Sequence, residues 1–145
     1  MLQIAGELLR GAWISGAAVL AAGFLMASSS ARAEEARVFE MRTYTTHPGR
    51  LDALHKRFRD HTNHLFVKHG MHLIGYWTPT EGPEAANTLV YVLAYPSRAA
   101  REASWKAFRE DPEWNKAREE SEKGGKIVEK VEAVFLKATD YSPIR

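Results

Sequence analysis

Downstream of residue 36, apolar and polar positions first alternate with the two-residue period of a β-strand. Phe39 and Met41 fall on one face of this strand, while Glu40, Arg42 and Tyr44 fall on the other. Because successive side chains of a strand point to opposite faces, each group stays together in any sheet that the strand joins. The pattern therefore predicts a first strand over residues 37–44.

After a Pro-Gly turn at residues 46–49, the apolar spacing changes to three and four, which predicts a helix from Arg50. Gly70 is suited to the left-handed position that ends a helix. Two further strands follow at residues 71–78 and 87–95, joined by a loop that contains Gly82 and Pro83. The second of them is almost continuously apolar, which is typical of a central strand buried on both faces.

Ser97 is a suitable N-cap for the next helix, and Asp111 followed by Pro112 predicts that a second helical piece starts there. Gly124 and Gly125 end it, and residues 127–138 alternate as a last strand. The order βαββαβ predicts an α+β protein with a ferredoxin-like fold: a four-stranded antiparallel sheet with both helices on one face.

The face of this sheet that the helices do not cover must then contact solvent or a partner. We expect it to carry an aromatic and polar group of side chains, namely Tyr44, Tyr76 or Trp77, Tyr91, Tyr95, Glu40 and Arg42. An aromatic face of this size is rarely left bare on a monomer. Two such sheets packed face to face would form a homodimer and enclose a partly polar cavity.

Residues 1–33 have the features of a secretory signal peptide rather than of a domain. An uncharged apolar stretch at residues 11–27 follows Arg10, and the small-residue pattern Ala31-Arg32-Ala33 offers a cleavage site. The alternative is an uncleaved membrane anchor, for which the stretch is short. We expect a mature domain at residues 34–145 that is exported to the periplasm or secreted, without stable membrane insertion after cleavage.

Composition excludes several classes of function. The chain has no cysteine, so disulfide and thiolate chemistry is not available. Its net charge is +2 with both signs interspersed, so we expect no nucleic-acid partner. Nucleophile elbows and phosphate-binding glycine loops are absent from the sequence. The four basic residues of the predicted second helix are expected on a solvated face: Arg98, Arg101, Lys106 and Arg109.

Candidate ligand-binding residues are those of the second sheet face: Glu40, Arg42, Tyr44, Trp77 and Tyr91. Arg42 is suited to bidentate binding of a carboxylate, and aromatic side chains commonly form pocket walls. The alternative is that Glu40 and Arg42 pair with each other or with charges on a neighbouring strand, Lys130 and Glu132.

Five histidines cluster in and after the first helix: His55, His61, His64, His69 and His72. Their spacing does not match a zinc helix, so solvated or capping histidines are expected rather than a metal site. His69 is expected to serve the carbonyl groups at the helix end. We predict no cofactor and cannot name catalytic residues.

Several short motifs resemble the NIPSNAP family. They are Glu40-Met41-Arg42-Thr43-Tyr44, His47-Pro48-Gly49-Arg50-Leu51, His69-Gly70 with Leu73-Ile74-Gly75-Tyr76-Trp77, Asn87-Thr88-Leu89-Val90-Tyr91, and Asp111-Pro112-Glu113-Trp114. The resemblance implies ferredoxin-like protomers that assemble as a dimeric α/β-barrel. It implies no agreed set of catalytic residues.

Three functional hypotheses remain at this point. The first is an exported homodimer that binds a small, partly apolar molecule between its sheets. The second is an enzyme similar to the cofactor-independent monooxygenases or haem-using members of the dimeric α/β-barrel group. The third is a non-catalytic assembly module. Fold alone does not separate them.

Overall fold

The computed structural model describes residues 37–145, which belong to one compact unit, so the expected signal peptide lies outside the described residues. The elements in chain order are β1 (Val38–Thr46), α1 (Leu51–Arg57), a π-helical turn (Phe58–Thr62), α2 (Asn63–Lys68), β2 (His72–Trp77), a 3-10 turn (Pro83–Ala86), β3 (Thr88–Tyr95), α3 (Arg98–Glu110), α4 (Pro112–Ser121) and β4 (Val128–Leu136). The predicted order βαββαβ is confirmed.

The four strands form one antiparallel sheet in the order β2-β3-β1-β4, which is the ferredoxin-like topology. β1 and β3 lie in the centre, as the apolar sequence of β3 predicted. β4 lies at an edge and pairs with β1, with Met41 opposite Val134 and Tyr44 opposite Val131. Because β1 is a central strand, its polar side chains Glu40 and Arg42 lie in the middle of the sheet.

The predicted helix boundaries agree with the observed caps. Ser97 Oγ accepts a hydrogen bond from the backbone N–H of Ala100 at 3.1 Å, which starts α3. The Asp111 carboxylate accepts one from the backbone N–H of Glu113 at 2.8 Å, which starts α4. Gly70 adopts φ 76° after α2, a left-handed conformation that favours glycine.

One local feature of the first helix was not predicted. α1 and α2 continue into each other through the π-helical turn, which holds one more residue than an α-helical turn would. The hydroxyl of Thr62 donates to the carbonyl oxygen of Arg57 at 3.2 Å, so a side chain satisfies a backbone group inside the wide turn. Buried residues still follow one another at intervals of three and four across the turn (Leu54, Phe58, Thr62 and Leu65), which is why the sequence pattern did not reveal it.

The expectation about the two sheet faces is reversed. Tyr91 and Tyr95 are fully buried under the helices together with Leu93, and Glu40 is buried on the same face. Tyr44 and Tyr76 pack against this core as well. Alternation along a strand determines which residues share a face, but it does not determine which face the helices cover.

The opposite face, called the open face below, is mainly apolar. Its side chains include Phe39, Met41, Val92, Val134 and Leu136, and Val134 and Leu136 are 49% and 41% exposed. Within the described range 37–145, the helices pack on the other face of the sheet. No helix of that range is long and apolar enough to cross a membrane.

Candidate functional site

A buried carboxylate lies between the sheet and α3. Glu40 has no exposed surface, and its two oxygens accept five hydrogen bonds. Arg101 donates two, at 2.6 and 3.0 Å, and Arg42 donates one at 2.7 Å. The Tyr95 hydroxyl and the Trp105 indole N–H each donate one at 3.0 Å. The charge is therefore buried with a full set of donors, as a buried ion requires.

The electrostatics of this cluster keep the carboxylate ionised. Burial alone would raise the pKa of Glu40, but the hydrogen bonds and positive charges of Arg101 and Arg42 lower that pKa to about 2. Burial and the neighbouring Glu40 charge raise the pKa of the Tyr95 hydroxyl, which remains a donor. Of the alternatives for Glu40 and Arg42, mutual pairing is the one observed, whereas Lys130 and Glu132 pair separately at 2.9 Å.

Arg101 and Trp105 are the members of the cluster that the sequence analysis missed. Arg101 was expected on a solvated helix face, yet its side chain is only 15% exposed and turns inward to Glu40. The signal was present in the spacing, because Arg101, Trp105 and Phe108 follow one another at four and three residues on one helix face. The spacing alone does not show that Arg101 points inward, because its partner Glu40 lies on a strand 61 residues away.

Four of the five predicted ligand-binding residues are brought together. The Arg42 guanidinium lies 4.3 Å from the centre of the Trp105 ring and 5.6 Å from that of Tyr44, while Tyr44 packs edge-on against Tyr91. Burial raises the pKa of the Tyr91 hydroxyl well above its usual value. The fifth residue, Trp77, faces the other side of the sheet and is 54% exposed.

Two buried polar atoms of this region are without a hydrogen-bond partner among the described residues, the Tyr91 hydroxyl and Arg42 Nε. An unpartnered buried polar atom is costly, and such atoms often mark a place where a ligand or water binds. Tyr91 also stacks on Tyr76, with ring centres 5.6 Å apart, so the aromatic layer continues toward β2.

At that end of the layer, the π-helical turn and β2 border an open cavity of about 290 Å³, called the π-turn cavity below. It is lined by His55, Phe58, Arg59, Asn63, Tyr76, Trp77, Thr78 and Leu89. The Tyr76 hydroxyl and Asn63 Oδ1 are buried and make no hydrogen bond within the described chain. Burial raises the pKa of Tyr76, so its hydroxyl is a donor at neutral pH.

A second groove of similar volume, about 290 Å³, lies on the open face under the C-terminal tail. Its walls are Phe39, Ile74, Val92, Leu136 and tail residues that include Ser142 and Ile144. Arg37 donates to the carbonyl oxygen of Arg145 at 2.9 Å and holds the end of the tail near the start of β1. This groove is mainly apolar.

Two of the histidines contact carboxylates of another helical segment. His69 lies 2.7 Å from Asp111 and His64 lies 2.7 Å from Glu113, which joins α2 to the start of α4. We expected His69 to serve helix-end carbonyl groups, but its ring contacts Asp111, the N-cap of α4. Hydrogen bonds from Lys68 and His69 lower the pKa of Asp111. Residues 37–145 contain no group of three or more His, Asp or Glu side chains placed to hold a metal ion.

The model of the NIPSNAP family matches residues 39–143. A NIPSNAP family protein of unknown function from Agrobacterium tumefaciens is 24% identical, with a TM-score of 0.67 over 77% of this chain and 96% of that one. An uncharacterized NIPSNAP domain protein from Burkholderia xenovorans is 26% identical, with a TM-score of 0.62 over 73% and 98%. No curated protein matches the chain. The family model spans most of the sequence and all four strands, so the chain belongs to the NIPSNAP family.

Proposed function

We propose that the protein is an exported homodimer that binds a small, partly apolar molecule inside each protomer, in the π-turn cavity. The observation that carries the proposal is that Tyr76 on β2 and Asn63 at the start of α2 both line the cavity, and that each keeps a buried side-chain oxygen without a partner among the described residues. Each such atom costs about 1–3 kcal/mol when left unpaired, and a ligand that reached it with a matching polar group would recover that cost. Phe58 and Leu89 supply apolar surface beside them.

The placement of the polar residues favours a site within the protomer over one between two sheets. Glu40 and Tyr91 are buried beneath the helices, so they are not available to a ligand held against the open face. π-Helical turns inside α-helices are frequent at functional sites, and here the turn contributes Phe58 and Arg59 to the cavity. The predicted ligand-binding side chains Arg42, Tyr44 and Tyr91 would then support the wall through the Tyr91–Tyr76 stack.

A second copy of the chain is the proposed occupant of the open face. Four strands about 4.8 Å apart and up to nine residues long give a face of roughly 19 by 30 Å, about 600 Å² in projection, part of which lies under the C-terminal tail. A standard interface buries about 800 Å² of accessible surface per partner, which a pleated face of this size can provide together with the tail that lies on it. The exposed Val134 and Leu136 make such a face costly to leave in water.

Export is proposed from the N-terminal sequence. A basic flank, an apolar stretch and the Ala31-Arg32-Ala33 site precede a domain that contains no cysteine and needs no disulfide. Expression of the full chain in a Gram-negative bacterium, followed by fractionation and N-terminal sequencing, tests this. A product that begins near Glu34 in the periplasm is expected, and full-length protein in the cytoplasm would exclude export.

The binding proposal is tested on protein purified without refolding. Denaturing mass spectrometry should release a stoichiometric small molecule from the wild type, and less from a Tyr76→Phe variant, which loses one donor and little volume. Tyr141→Phe is the matched control because Tyr141 is 83% exposed and is not among the residues that line the cavity. Clean wild-type protein that also shows no thermal shift with a library of small aromatic and aliphatic compounds would refute the proposal.

A further inference from the structure

We propose that the two protomers interlock through their C-terminal tails, residues 137–145, so that the tail of each protomer fills the groove on the open face of the other. This inference rests on the proposed dimer and specifies how the two open faces meet. It is carried by the course of the groove across the sheet, by the attachment of the tail beside it, and by the exposure of Tyr141 on the tail.

The groove crosses the sheet rather than following one strand. Its floor takes one apolar side chain from each strand, in the order of the sheet: Ile74, Val92, Phe39 and Leu136. Three spacings of about 4.8 Å make this floor about 14 Å long, the length of about four residues of extended chain. Ser142 and Ile144 of the tail line the same groove. The open face therefore carries a groove of about 290 Å³ beside a raised segment of chain.

The tail is bonded to itself more than to the sheet. Within the described residues, its one hydrogen bond to the rest of the domain runs from Arg37 to the carbonyl oxygen of Arg145 at 2.9 Å. Inside the tail, the N–H of Ser142 donates to the carbonyl oxygen of Thr139 at 3.1 Å, and Ser142 Oγ donates to that of Ile144 at 2.6 Å. The tail is thus a folded ridge held at both ends, by β4 and by Arg37.

A ridge beside a groove is self-complementary under two-fold symmetry. Every contact of an isologous dimer occurs twice, so the tail of one protomer can enter the groove of the other while it receives the other tail in return. The groove floor belongs to the open face that the second copy is proposed to cover. If the tails did not enter the grooves, apolar space would stay unfilled at the interface and its lining would lose packing contacts.

Tyr141 is the side chain of the tail that fits this role. It is 83% exposed, more than any other large apolar side chain of residues 37–145, and it does not line its own groove. Tyrosine is enriched among the residues that dominate interfaces, because it buries a large ring and its hydroxyl can still find a partner. The groove offers both kinds of contact, an apolar floor and a polar margin formed by Lys137, Thr139 and Ser142.

Sedimentation equilibrium of the purified protein measures the contribution of the tail. Tyr141→Ser should raise the dimer dissociation constant at least about tenfold, since it removes a buried aromatic anchor. Tyr141→Phe keeps the ring and loses one hydrogen bond at most, so it should raise the constant by no more than about fivefold. Circular dichroism spectra equal to that of the wild type show that both variants are folded.

Disulfide formation tests the contact directly, because the natural chain has no cysteine. Protein carrying Tyr141→Cys is mixed with protein carrying Val92→Cys, whose position lies on the groove floor, and the mixture is oxidised mildly. A mixed disulfide dimer is expected in the intact mass spectrum. Val131→Cys is the control partner, since Val131 is 44% exposed on the opposite face of the sheet, and it should give little mixed product.

A wild-type dimer whose variants give no mixed disulfide at position 92, or a Tyr141→Ser dimer as tight as the wild type, would overturn the interlocking and leave the proposed dimer standing. Equal yields with Val92→Cys and Val131→Cys would also overturn it, because they would report random collision. A wild-type protein that sediments as a monomer at micromolar concentration would remove the dimer and the interlocking together.

Discussion

Arg101 donates two parallel hydrogen bonds to Glu40, from Nη2 to Oε1 at 2.6 Å and from Nε to Oε2 at 3.0 Å. The two residues are 61 positions apart, so this pair joins α3 to the central strand β1. Bidentate arginine–carboxylate pairs are geometrically specific as well as strong. The helix is therefore fixed over the sheet in orientation, beyond what the apolar packing of Trp105 and Phe108 supplies.

Replacing the Glu40 carboxylate should lower the free energy of unfolding. In Glu40→Gln, Arg42 and Arg101 lose their common counter-ion, and we expect unfolding to become easier by about 3 kcal/mol. Tyr95→Phe, which removes only one donor from the same carboxylate, should cost about 1 kcal/mol. Urea denaturation followed by circular dichroism gives both values. A Glu40→Gln cost no larger than that of Tyr95→Phe would show that the cluster does not stabilise the fold.

Stability should depend on pH below the ordinary pKa of a glutamate. The pKa of Glu40 falls from 4.5 to about 2 in the folded protein, so its stabilising contribution is complete above pH 4.5 and is lost as the pH falls toward 2. Glu40 alone should contribute about 3 kcal/mol to the free energy of unfolding at neutral pH. Denaturation curves between pH 7 and pH 2 should show the loss, and Glu40→Gln should show a shallower one. Parallel profiles for the two proteins would contradict this assignment.

The open face provides a matched pair of variants for testing the proposed dimer. Val134 and Val131 lie on β4 with similar exposure, 49% and 44%, but on opposite faces of the sheet. Val134→Glu places a charge on the open face and should convert the dimer to a monomer. Val131→Glu should leave it dimeric. Light scattering coupled to size-exclusion chromatography measures the mass, and a wild-type monomer at micromolar concentration would exclude the dimer.

Asp111 combines two roles that substitutions can separate. Asp111 caps α4 by accepting a hydrogen bond from the backbone N–H of Glu113. Its carboxylate also pairs with Lys68 and His69, which lie at the end of α2. Asp111→Asn keeps a capping oxygen and loses the charge, whereas Asp111→Ala loses both. We expect Asp111→Ala to destabilise the protein by about 1–2 kcal/mol and Asp111→Asn by less, measured by thermal melting. Equal losses would show that the ion pairs, rather than the cap, carry the effect.

Element order, helix caps and family could be predicted because each rests on local sequence. Ser97, Asp111 and Gly70 act within a few residues of where they stand. The orientation of the sheet could not be predicted, because Glu40 and Phe39 alternate equally well whichever face the helices cover. Burial of Glu40 depends on Arg101, which is distant in the chain, so strand alternation alone gave a misleading picture of a polar outer face.

For the candidate site too, the sequence predicted which residues share a strand face but not which distant residues join them. Glu40, Arg42, Tyr44 and Tyr91 were grouped correctly, since strand period and pairing place them together. Tyr76 was named as an alternative to Trp77, and only the register of β2 against β3 separates them. Asn63 and Arg59 could not be found from sequence, because their position beside the cavity depends on the π-helical turn, which contains Arg59 and precedes Asn63.

Because of the π-helical turn, the shape of the first helical segment depends on how many residues it contains more than on which residues they are. In an α-helix each residue advances about 100° around the axis. The wide turn absorbs one extra residue, so deleting a single residue from Phe58–Thr62 would let the helix close into a regular one with its two ends in nearly the same phase. The helix would then lose the widening beside the cavity, although every contact-making residue type was still present. Among relatives, an insertion or deletion at this point should separate proteins that share the fold from those that share the cavity.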